Sequence, residues 1–144
     1  LCLIWLLKNV NKNVTVLDYG CGSGILGIAA KKIGAQKVFG VDIDDQAIKS
    51  SRENAEINNV EIIWNNIENR IDYKTDLIVA NILSSALTIL APILAEHCNN
   101  KGKIALSGIL ESQEEDIKKI YGKWFDFNPP IIKDGWVLIS GTKR

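Results

Sequence analysis

Four glycines stand within eight positions of the segment DYGCGSGILG, residues 18–27. Gly22, Gly24 and Gly27 have the GxGxxG spacing of a dinucleotide-binding turn, which holds a pyrophosphate with glycine amides and a helix N-terminus. Asp18 directly precedes the glycines and has the wrong charge for a pyrophosphate. S-adenosylmethionine carries a sulfonium, an ammonium and only one carboxylate, so Asp18 favours it over a dinucleotide as the ligand.

The register of the glycines supports the same choice. In the dinucleotide fingerprint the first glycine follows the strand at once, but here Gly22 comes five residues after Leu17, the last apolar residue of the predicted strand. Gly20, Gly22 and Gly24 are better placed to line a ligand, because glycine lets the backbone pass close to it. Asp42 ends the next predicted strand, where its carboxylate can accept hydrogen bonds from ribose hydroxyls. A ribose occurs in both ligands, so Asp42 does not choose between them.

Several of the polar and aromatic residues also have simpler interpretations. Asp42 can be a helix-capping carboxylate, and Asn81, at the end of a predicted strand, can be a turn residue. Asn128 is followed by two prolines, which favours a turn over a catalytic loop. Trp136 fits a packing residue of the last predicted strand.

The elements that must position these residues alternate between strand and helix. The predicted strands are 13–18, 37–42, 60–64, 75–80 and 102–107, and the predicted helices are 25–33, a helix capped by Asp44, 83–97 and 111–123. Such alternation favours a parallel sheet with helices on both faces. After the last helix, 125–133 is followed within two residues by another apolar segment, which predicts a hairpin.

Composition excludes several classes of protein. The 144 residues fit one domain, and 17 basic and 17 acidic side chains cancel, so no broad surface for nucleic acid or an anionic membrane is expected. The three cysteines form no CxxC pair, which argues against a disulfide framework or a metal site and suits the cytoplasm. No apolar run approaches the roughly 20 residues of a membrane span.

The chain resembles the ribosomal-protein L-eleven methyltransferase family. The resemblance lies in VLDYGCGSGILGIAAKKIGAQKVFGVDID, followed by DLIVANIL, LAPILA and LSGIL, and it runs nearly end to end. The D-x-G-x-G-x-G pattern is shared by many methyltransferases, whereas DLIVANIL with LSGIL is more particular to this family. The resemblance implies a class I methyltransferase, Rossmann-like α/β fold: a mostly parallel seven-stranded sheet, its last strand antiparallel, with helices on both faces. It also implies an enzyme that uses S-adenosyl-L-methionine to methylate amino groups of a large-subunit ribosomal protein, namely lysine side chains and the N-terminus.

The resemblance implies roles for individual residues. Gly20 is expected against the methionine end of the cofactor, Asp42 at the ribose, and Asn81 beside both the cofactor and the incoming amine, which makes it the candidate catalytic residue. Asn66 stands where many methyltransferases place an acidic group near the adenine amine, and its carbonyl can accept that hydrogen bond. The expected cofactor-binding set is Asp18, Gly20, Gly22, Gly24, Asp42, Ile43, Asn66 and Asn81.

Family members resemble this chain only from their middle onward. Residues 1–144 are therefore expected to be an S-adenosylmethionine-dependent methyltransferase domain without an N-terminal substrate-recognition domain. The expected partner is a ribosomal protein in the cytoplasm, with neither nucleic acid nor membrane bound directly. The alternatives are a methyltransferase of another protein, RNA or small molecule, a non-catalytic S-adenosylmethionine-binding module, and a fragment of a dinucleotide oxidoreductase.

Overall fold

A computed structural model describes residues 1–67 and 72–144, which form eight strands and five α-helices. The strands are β1 Thr15–Tyr19, β2 Lys37–Asp42, β3 Ile63–Asn66, β4 Thr75–Asn81, β5 Cys98–Leu110, β6 Phe125–Phe127, β7 Ile131–Lys133 and β8 Trp136–Lys143. The helices are α1 Cys2–Asn9, α2 Ile25–Ile33, α3 Asp45–Ile57, α4 Ser84–Glu96 and α5 Glu114–Tyr121, and a 3₁₀ turn, Glu111–Gln113, precedes α5.

The sheet is Rossmann-like and mostly parallel, as predicted. Its strand order is β3-β2-β1-β4-β5-β8-β6, with β7 also paired to β8. Neighbouring strands from β3 to β5 are parallel, whereas β8 is antiparallel to β5, β6 and β7. The carboxyl ends of β1, β2 and β4 therefore meet at one edge of the sheet, which is where open α/β sheets bind their ligands.

The described part of the chain has one strand more than predicted. The segment 125–133 was predicted as one strand, but β6 and β7 pair with β8 one after the other. Between them lie Pro129 and Pro130, which have no backbone N–H to donate to a ladder. The predicted hairpin is confirmed, since β7 and β8 are joined by the turn at Asp134 and Gly135.

Other predicted boundaries differ by one to four residues, most clearly those of the third and fifth strands. The third strand was predicted at 60–64 but is β3, Ile63–Asn66, because Val60 N–H still donates to Ala55 O of α3 at 3.1 Å. The fifth strand was predicted at 102–107 but starts at Cys98, which pairs with Thr75 of β4 before a shift of register. The predicted boundaries of α2 and β2 are confirmed.

Buried side chains lie on both faces of the sheet. Val16 and Leu77 pack with α1 and α2 on one face, and α3 packs beside α2. Leu17 and Ile78, the next residues along the same strands, pack with α4 and α5 on the other face. Strands covered on both faces are apolar along their length, which explains the unbroken run LIVA in β4.

A hydrogen-bond cluster at the amino ends of three strands lies at the opposite end of the sheet from the ligand edge. The Asp76 carboxylate accepts hydrogen bonds from Thr15 N–H (2.9 Å), Thr15 Oγ1 (3.1 Å) and Asn99 Nδ2 (3.0 Å). Partial burial raises the pKa of Asp76, but the hydrogen bonds outweigh it and hold the pKa below its ordinary value. The cluster connects β1, β4 and β5 and so fixes their relative position.

Within the described ranges, none of the helices is long and apolar enough to cross a membrane.

Candidate functional site

The glycine-rich loop between β1 and α2 is held by backbone hydrogen bonds to the next strand. Gly20 N–H and Cys21 N–H both donate to Val41 O, at 2.8 and 2.9 Å. Helix α3 holds the other side of the loop, because Ser51 Oγ donates to Gly22 O at 2.8 Å and Asn54 Nδ2 donates to Ser23 O at 2.9 Å. Neither of these two polar residues was predicted as a site residue, because both stand on an amphipathic helix whose sequence gives no sign of a contact with the loop.

The three glycines of the loop have positive φ angles but different surroundings. A Cβ on Gly20 (φ +77°) would lie 2.6 Å from Ile82 Cγ2, so the loop passes directly against the segment after β4. Gly24 (φ +86°) is the N-cap of α2, and its Cβ would lie 2.9 Å from the ring of Trp64. A Cβ on Gly22 (φ +56°) would meet no described atom within 4 Å, so this side of Gly22 faces open space. Gly20 and Gly22 therefore line a cleft, whereas Gly24 serves packing.

The Asp18 carboxyl is buried at the base of the loop. Its relative exposure is 1%, and Oδ2 accepts a hydrogen bond from Gly27 N–H at 3.1 Å. Burial raises the pKa of Asp18 to about 7; the hydrogen bond from Gly27 lowers it, and the charge of Asp42 raises it further. A buried carboxyl of this kind gains most from a cation placed beside it.

Three clefts lie along the ligand edge of the sheet. The loop cleft, about 380 Å³, is lined by Leu1, Cys2, Leu3, Asp18, Gly20, Cys21, Gly22, Ser23, Ile25, Leu26 and Asn81. The apolar cleft, about 360 Å³, is lined by Tyr19, Gly20, Asp42, Ile43, Ile67, Ile82, Ala86, Ile89 and Leu90. The hairpin cleft, about 340 Å³, is lined by Leu1, Asn81, Ser107, Gly108, Lys133, Asp134 and Trp136.

The clefts follow the order of the strands. Gly20 lines both the apolar cleft and the loop cleft, and Asn81 lines both the loop cleft and the hairpin cleft. The apolar cleft lies at the end of β2, the loop cleft at the ends of β1 and β4, and the hairpin cleft at β5 and the β7–β8 turn. The structure therefore places most of the predicted site residues along three adjoining clefts that share lining residues.

Asp42 fixes the loop on the side of the apolar cleft. Its Oδ2 accepts from Gly22 N–H at 2.9 Å and its Oδ1 accepts from Asp44 N–H at 3.0 Å. The N-cap of α3 is Asp44, whose side chain accepts from Gln46 N–H at 2.9 Å. The helix-capping interpretation of Asp42 is therefore wrong, and the predicted cap at Asp44 is confirmed.

Ile43 and Asn66 lie next to Asp42. Ile43 is 69% exposed and forms part of the wall of the apolar cleft. Asn66 pairs with Asp42 across β2 and β3, and its Nδ2 donates to Ile43 O (3.1 Å) and Asp45 Oδ1 (2.7 Å). Asn66 thus orients the Ile43 backbone, while its predicted hydrogen bond to adenine stays a prediction.

Asn81 is exposed at the carboxyl end of β4, opposite Ser107 of β5. The next residue, Ile82, lies between two glycines, because a Cβ on Gly20 would approach its side chain and a Cβ on Gly108 would overlap its carbonyl oxygen. The segment after β4 is thereby held close to both neighbouring strands, which fixes Asn81 between the loop cleft and the hairpin cleft.

Much of the apolar cleft was not predicted from the sequence. Ile67 and Ile82, together with Ala86, Ile89 and Leu90 of α4, form its wall. The available signal was the apolar character of α4, which has Glu96 as its only charged residue.

Cys21 and Trp136 also line clefts, Cys21 the loop cleft and Trp136 the hairpin cleft. Cys21 is buried, with Sγ 3.6 Å from Ser51 Oγ, and burial raises its pKa to about 12, so its thiol is not an activated nucleophile. Trp136 was predicted as a packing residue, but it is 48% exposed and lines the hairpin cleft.

Comparisons with known proteins agree on one family. The profile of the family described as ribosomal protein L11 methyltransferase (PrmA) matches residues 1–144. The ribosomal protein L11 methyltransferase of Methylobacillus flagellatus is 51% identical over 144 residues, which are all of this chain and 49% of that protein. That of Chromobacterium violaceum is 46% identical over 146 residues, covering 100% of this chain and 48% of that protein. The chain thus spans about half the length of the curated relatives it matches.

Solved structures place the fold among class I methyltransferases. The ribosomal protein L11 methylase from Lactobacillus delbrueckii subsp. bulgaricus superposes with a TM-score of 0.91 at 33% identity, covering 99% of this chain and 77% of that one. The magnesium protoporphyrin IX methyltransferase from Synechocystis PCC 6803, solved with bound S-adenosylhomocysteine, has a TM-score of 0.83 at 17% identity, covering 99% of this chain and 80% of that one. The predicted fold class is confirmed.

Proposed function

Because the chain belongs to the ribosomal protein L11 methyltransferase family, we propose that it binds S-adenosylmethionine and methylates amino groups of a large-subunit ribosomal protein. The targets we propose are lysine side chains and the N-terminal amino group of that protein. Because the proposed substrate is a ribosomal protein, we place the activity in the cytoplasm. The balanced charge of the chain supports recognition of a protein rather than of nucleic acid.

The observation that carries the proposal is the chemical difference between two adjoining clefts. The loop cleft contains the buried Asp18 carboxyl, which suits the cationic methionine end of S-adenosylmethionine. The apolar cleft has Asp42 at its edge, which suits a ribose beside a flat apolar base. Gly20, which adjoins both clefts, leaves room for the bond between the two halves of such a ligand. The residues present therefore fit S-adenosylmethionine.

The same arrangement argues against a dinucleotide. A pyrophosphate above Gly20 and Gly22 would lie near two carboxyl groups, Asp18 and Asp42, and none of the described residues that line the loop cleft is a lysine or arginine. Bringing two negative phosphates to that position would be unfavourable, because pyrophosphate sites depend on positive potential.

Bound S-adenosylmethionine supplies a methyl group on a sulfonium, so the task of the protein is to align a neutral amine with it. A lysine amine with an ordinary pKa near 10.4 is neutral in roughly one molecule in a few thousand at pH 7, which corresponds to about 4.6 kcal/mol. Removal from water beside a cation lowers that pKa. Asn81 can then orient the amine through its side-chain or backbone oxygen, and the proton leaves to water.

The proposal is tested in two steps. Calorimetry should detect binding of S-adenosylmethionine and S-adenosylhomocysteine to the chain but not of NADH, and tighter binding of NADH would instead support a dinucleotide enzyme. Mass spectrometry of ribosomal proteins incubated with the chain and isotopically labelled S-adenosylmethionine should then find label on amino groups of one large-subunit protein. Label only on RNA or a small molecule would contradict the substrate assignment. Cofactor binding without any transfer would favour a non-catalytic binding module.

A further inference from the structure

We propose that the hairpin cleft is the access route of the substrate amine and that it is built for a lysine side chain, with Trp136 contacting the methylene groups and Asp134 attracting the ammonium. This inference rests on the proposed function, which supplies the reaction but does not say where the substrate enters. It assigns a role to the β7–β8 hairpin, the part of the fold that departs from the regular alternation of strands and helices.

Continuity with the loop cleft is the first argument. Asn81 lines both the loop cleft and the hairpin cleft, and a ligand that fills the apolar and loop clefts leaves the hairpin cleft as the space on the far side of Asn81. An amine arriving by this route reaches Asn81 from the side of β5. Its path does not cross Asp42 or the apolar wall, which are needed for the cofactor.

The exposed indole of Trp136 is the second argument. Trp136 begins β8, where it pairs with Leu110 on one side and Lys133 on the other. It keeps 48% of its surface exposed, while Val137, the next residue, is fully buried. A tryptophan face at the wall of a cleft can pack against the methylene groups of a lysine and attract its charged end.

The shape of the hairpin is the third argument. Asp134 (φ +53°) and Gly135 (φ +80°) form the two-residue turn, as an Asp-Gly sequence favours. Glu111 N–H donates to Gly135 O at 3.3 Å, which ties the turn to the residue after β5. Asp134 is therefore held in place as the acidic residue of the hairpin cleft, beside Lys133, and its carboxylate can attract a cationic side chain from solvent.

Binding is tested without catalysis by following tryptophan indole NMR signals of the chain saturated with S-adenosylhomocysteine. The Trp136 signal is identified by its loss in Trp136→Phe. A short alanine peptide with a central lysine should shift the Trp136 signal and leave those of Trp5, Trp64 and Trp124 in place. The same peptide with norleucine, which has the methylene groups but no ammonium, should shift it about tenfold less at equal concentration. An unmoved Trp136 signal, or equal shifts with both peptides, would overturn the proposal.

Three variants separate the roles of the lining residues. Trp136→Ala and Asp134→Asn should each raise the apparent Kd of the lysine peptide about tenfold, whereas Lys133→Gln, which removes a like charge, should not raise it. All three should bind S-adenosylhomocysteine like the parent chain, because none lines the loop or apolar cleft. Methylation of the peptide with unchanged affinity in Trp136→Ala and Asp134→Asn would leave the proposed function intact and refute this access route. If the lysine peptide shifts the Trp136 signal but the parent chain transfers no methyl group, the access route is supported and the proposed function is refuted.

Discussion

Asp42 joins three structural parts through one carboxylate: the end of β2, the glycine-rich loop and the start of α3. We expect Asp42→Ala to weaken S-adenosylmethionine binding by about 1.5–3 kcal/mol for each ribose hydrogen bond lost. The loop would also lose its contact at Gly22. Calorimetric titration measures the change in affinity.

Asp44→Ala is the matched control, because Asp44 caps α3 and lines none of the three clefts. Loss of this cap should cost about 1 kcal/mol of stability and leave cofactor affinity unchanged. Equal losses of affinity in Asp42→Ala and Asp44→Ala would mean that Asp42 acts only by holding α3.

The raised pKa of Asp18 makes cofactor binding depend on pH. A cationic ligand beside Asp18 favours its charged form, so binding at a pH below about 7 must remove a proton. The logarithm of the binding constant should rise with pH at a slope near one between about pH 5 and 6.5 and level off above pH 7. Calorimetry in buffers of different ionisation enthalpy should detect the released proton. In Asp18→Asn, whose amide oxygen can still accept from Gly27 N–H, binding should be weaker and independent of pH, and a retained slope would exclude Asp18 as its source.

The same pKa shift affects the stability of the folded chain in the opposite direction. The pKa of Asp18 is about 7 in the folded chain and near 4 when unfolded, so its contribution to stability is fully present below about pH 4 and is lost as the pH rises through 7. The free energy of unfolding, measured with urea, should therefore decline between about pH 4 and 7, and this decline should be smaller in Asp18→Asn. An identical decline in both chains would place the titrating group elsewhere.

Charge and register predicted the polar half of the site, but not its apolar half. Asp18, Gly20 and Asp42 could be singled out because their charge and spacing at the ends of two predicted strands match one ligand, although each residue type is also common in turns and caps. Ile67 and Ile82 could not, since an isoleucine after a strand looks the same whether it faces the core or a cleft. The separate role of Gly24 depends on Trp64, which is 40 residues away in the chain.

At the scale of elements, Asp76 connects three strands at the end of the sheet opposite the clefts. Asp76→Ala should lower the free energy of unfolding by about 1–3 kcal/mol at pH 7, because it removes hydrogen bonds to a charged group. The folded pKa of Asp76 lies below its ordinary value, so this stabilisation is present above about pH 4 and is lost as the pH falls further.

Urea unfolding of the parent and Asp76→Ala at pH 7 and pH 3 measures this difference, which should shrink at pH 3. Asp126→Ala is the control, because it removes only an exposed ion pair with Arg144 and its hydrogen bond. If Asp126→Ala lowers the free energy of unfolding as much as Asp76→Ala does, the hydrogen bonds that connect the three strands contribute no stability of their own.

The alternation of strands and helices was predictable because periodicity and glycine stops are local signals. The division of 125–133 into β6 and β7 was not, because it depends on how β8 distributes its hydrogen bonds between two short partners. The early start of β5 likewise reflects pairing between Cys98 and Thr75, which no local pattern records.

At the scale of the whole molecule, the chain spans about half the length of the relatives it matches. Alignment of one chosen amine with a methyl donor can account for about 7–11 kcal/mol of a barrier. Nearly all of the described residues build the sheet and the clefts, and we propose that the additional part of the relatives holds the substrate protein. The 144-residue chain should therefore bind S-adenosylmethionine as tightly as the full-length Methylobacillus flagellatus relative but methylate the ribosomal protein far more slowly.

Labelled-methyl transfer by both proteins, measured at equal cofactor saturation, tests this division. A short lysine peptide is the control substrate. It is too small to need the additional part of the relatives, so both proteins should methylate it at similar rates. Equal rates on the whole ribosomal protein would mean that recognition lies within these 144 residues.

The position of β8 has a consequence for biosynthesis. In the sheet β8 lies between β5 and β6, yet in the chain it follows β5, β6 and β7. During translation, β5 therefore emerges with one edge unpaired, and β6 and β7 emerge with no strand to join. Only when residues 136–143 leave the ribosome can the sheet close, and the hairpin cleft is completed at the same moment. Folding of this half must therefore wait for residues 136–143, which makes the unpaired edge of β5 the surface most in need of chaperone protection.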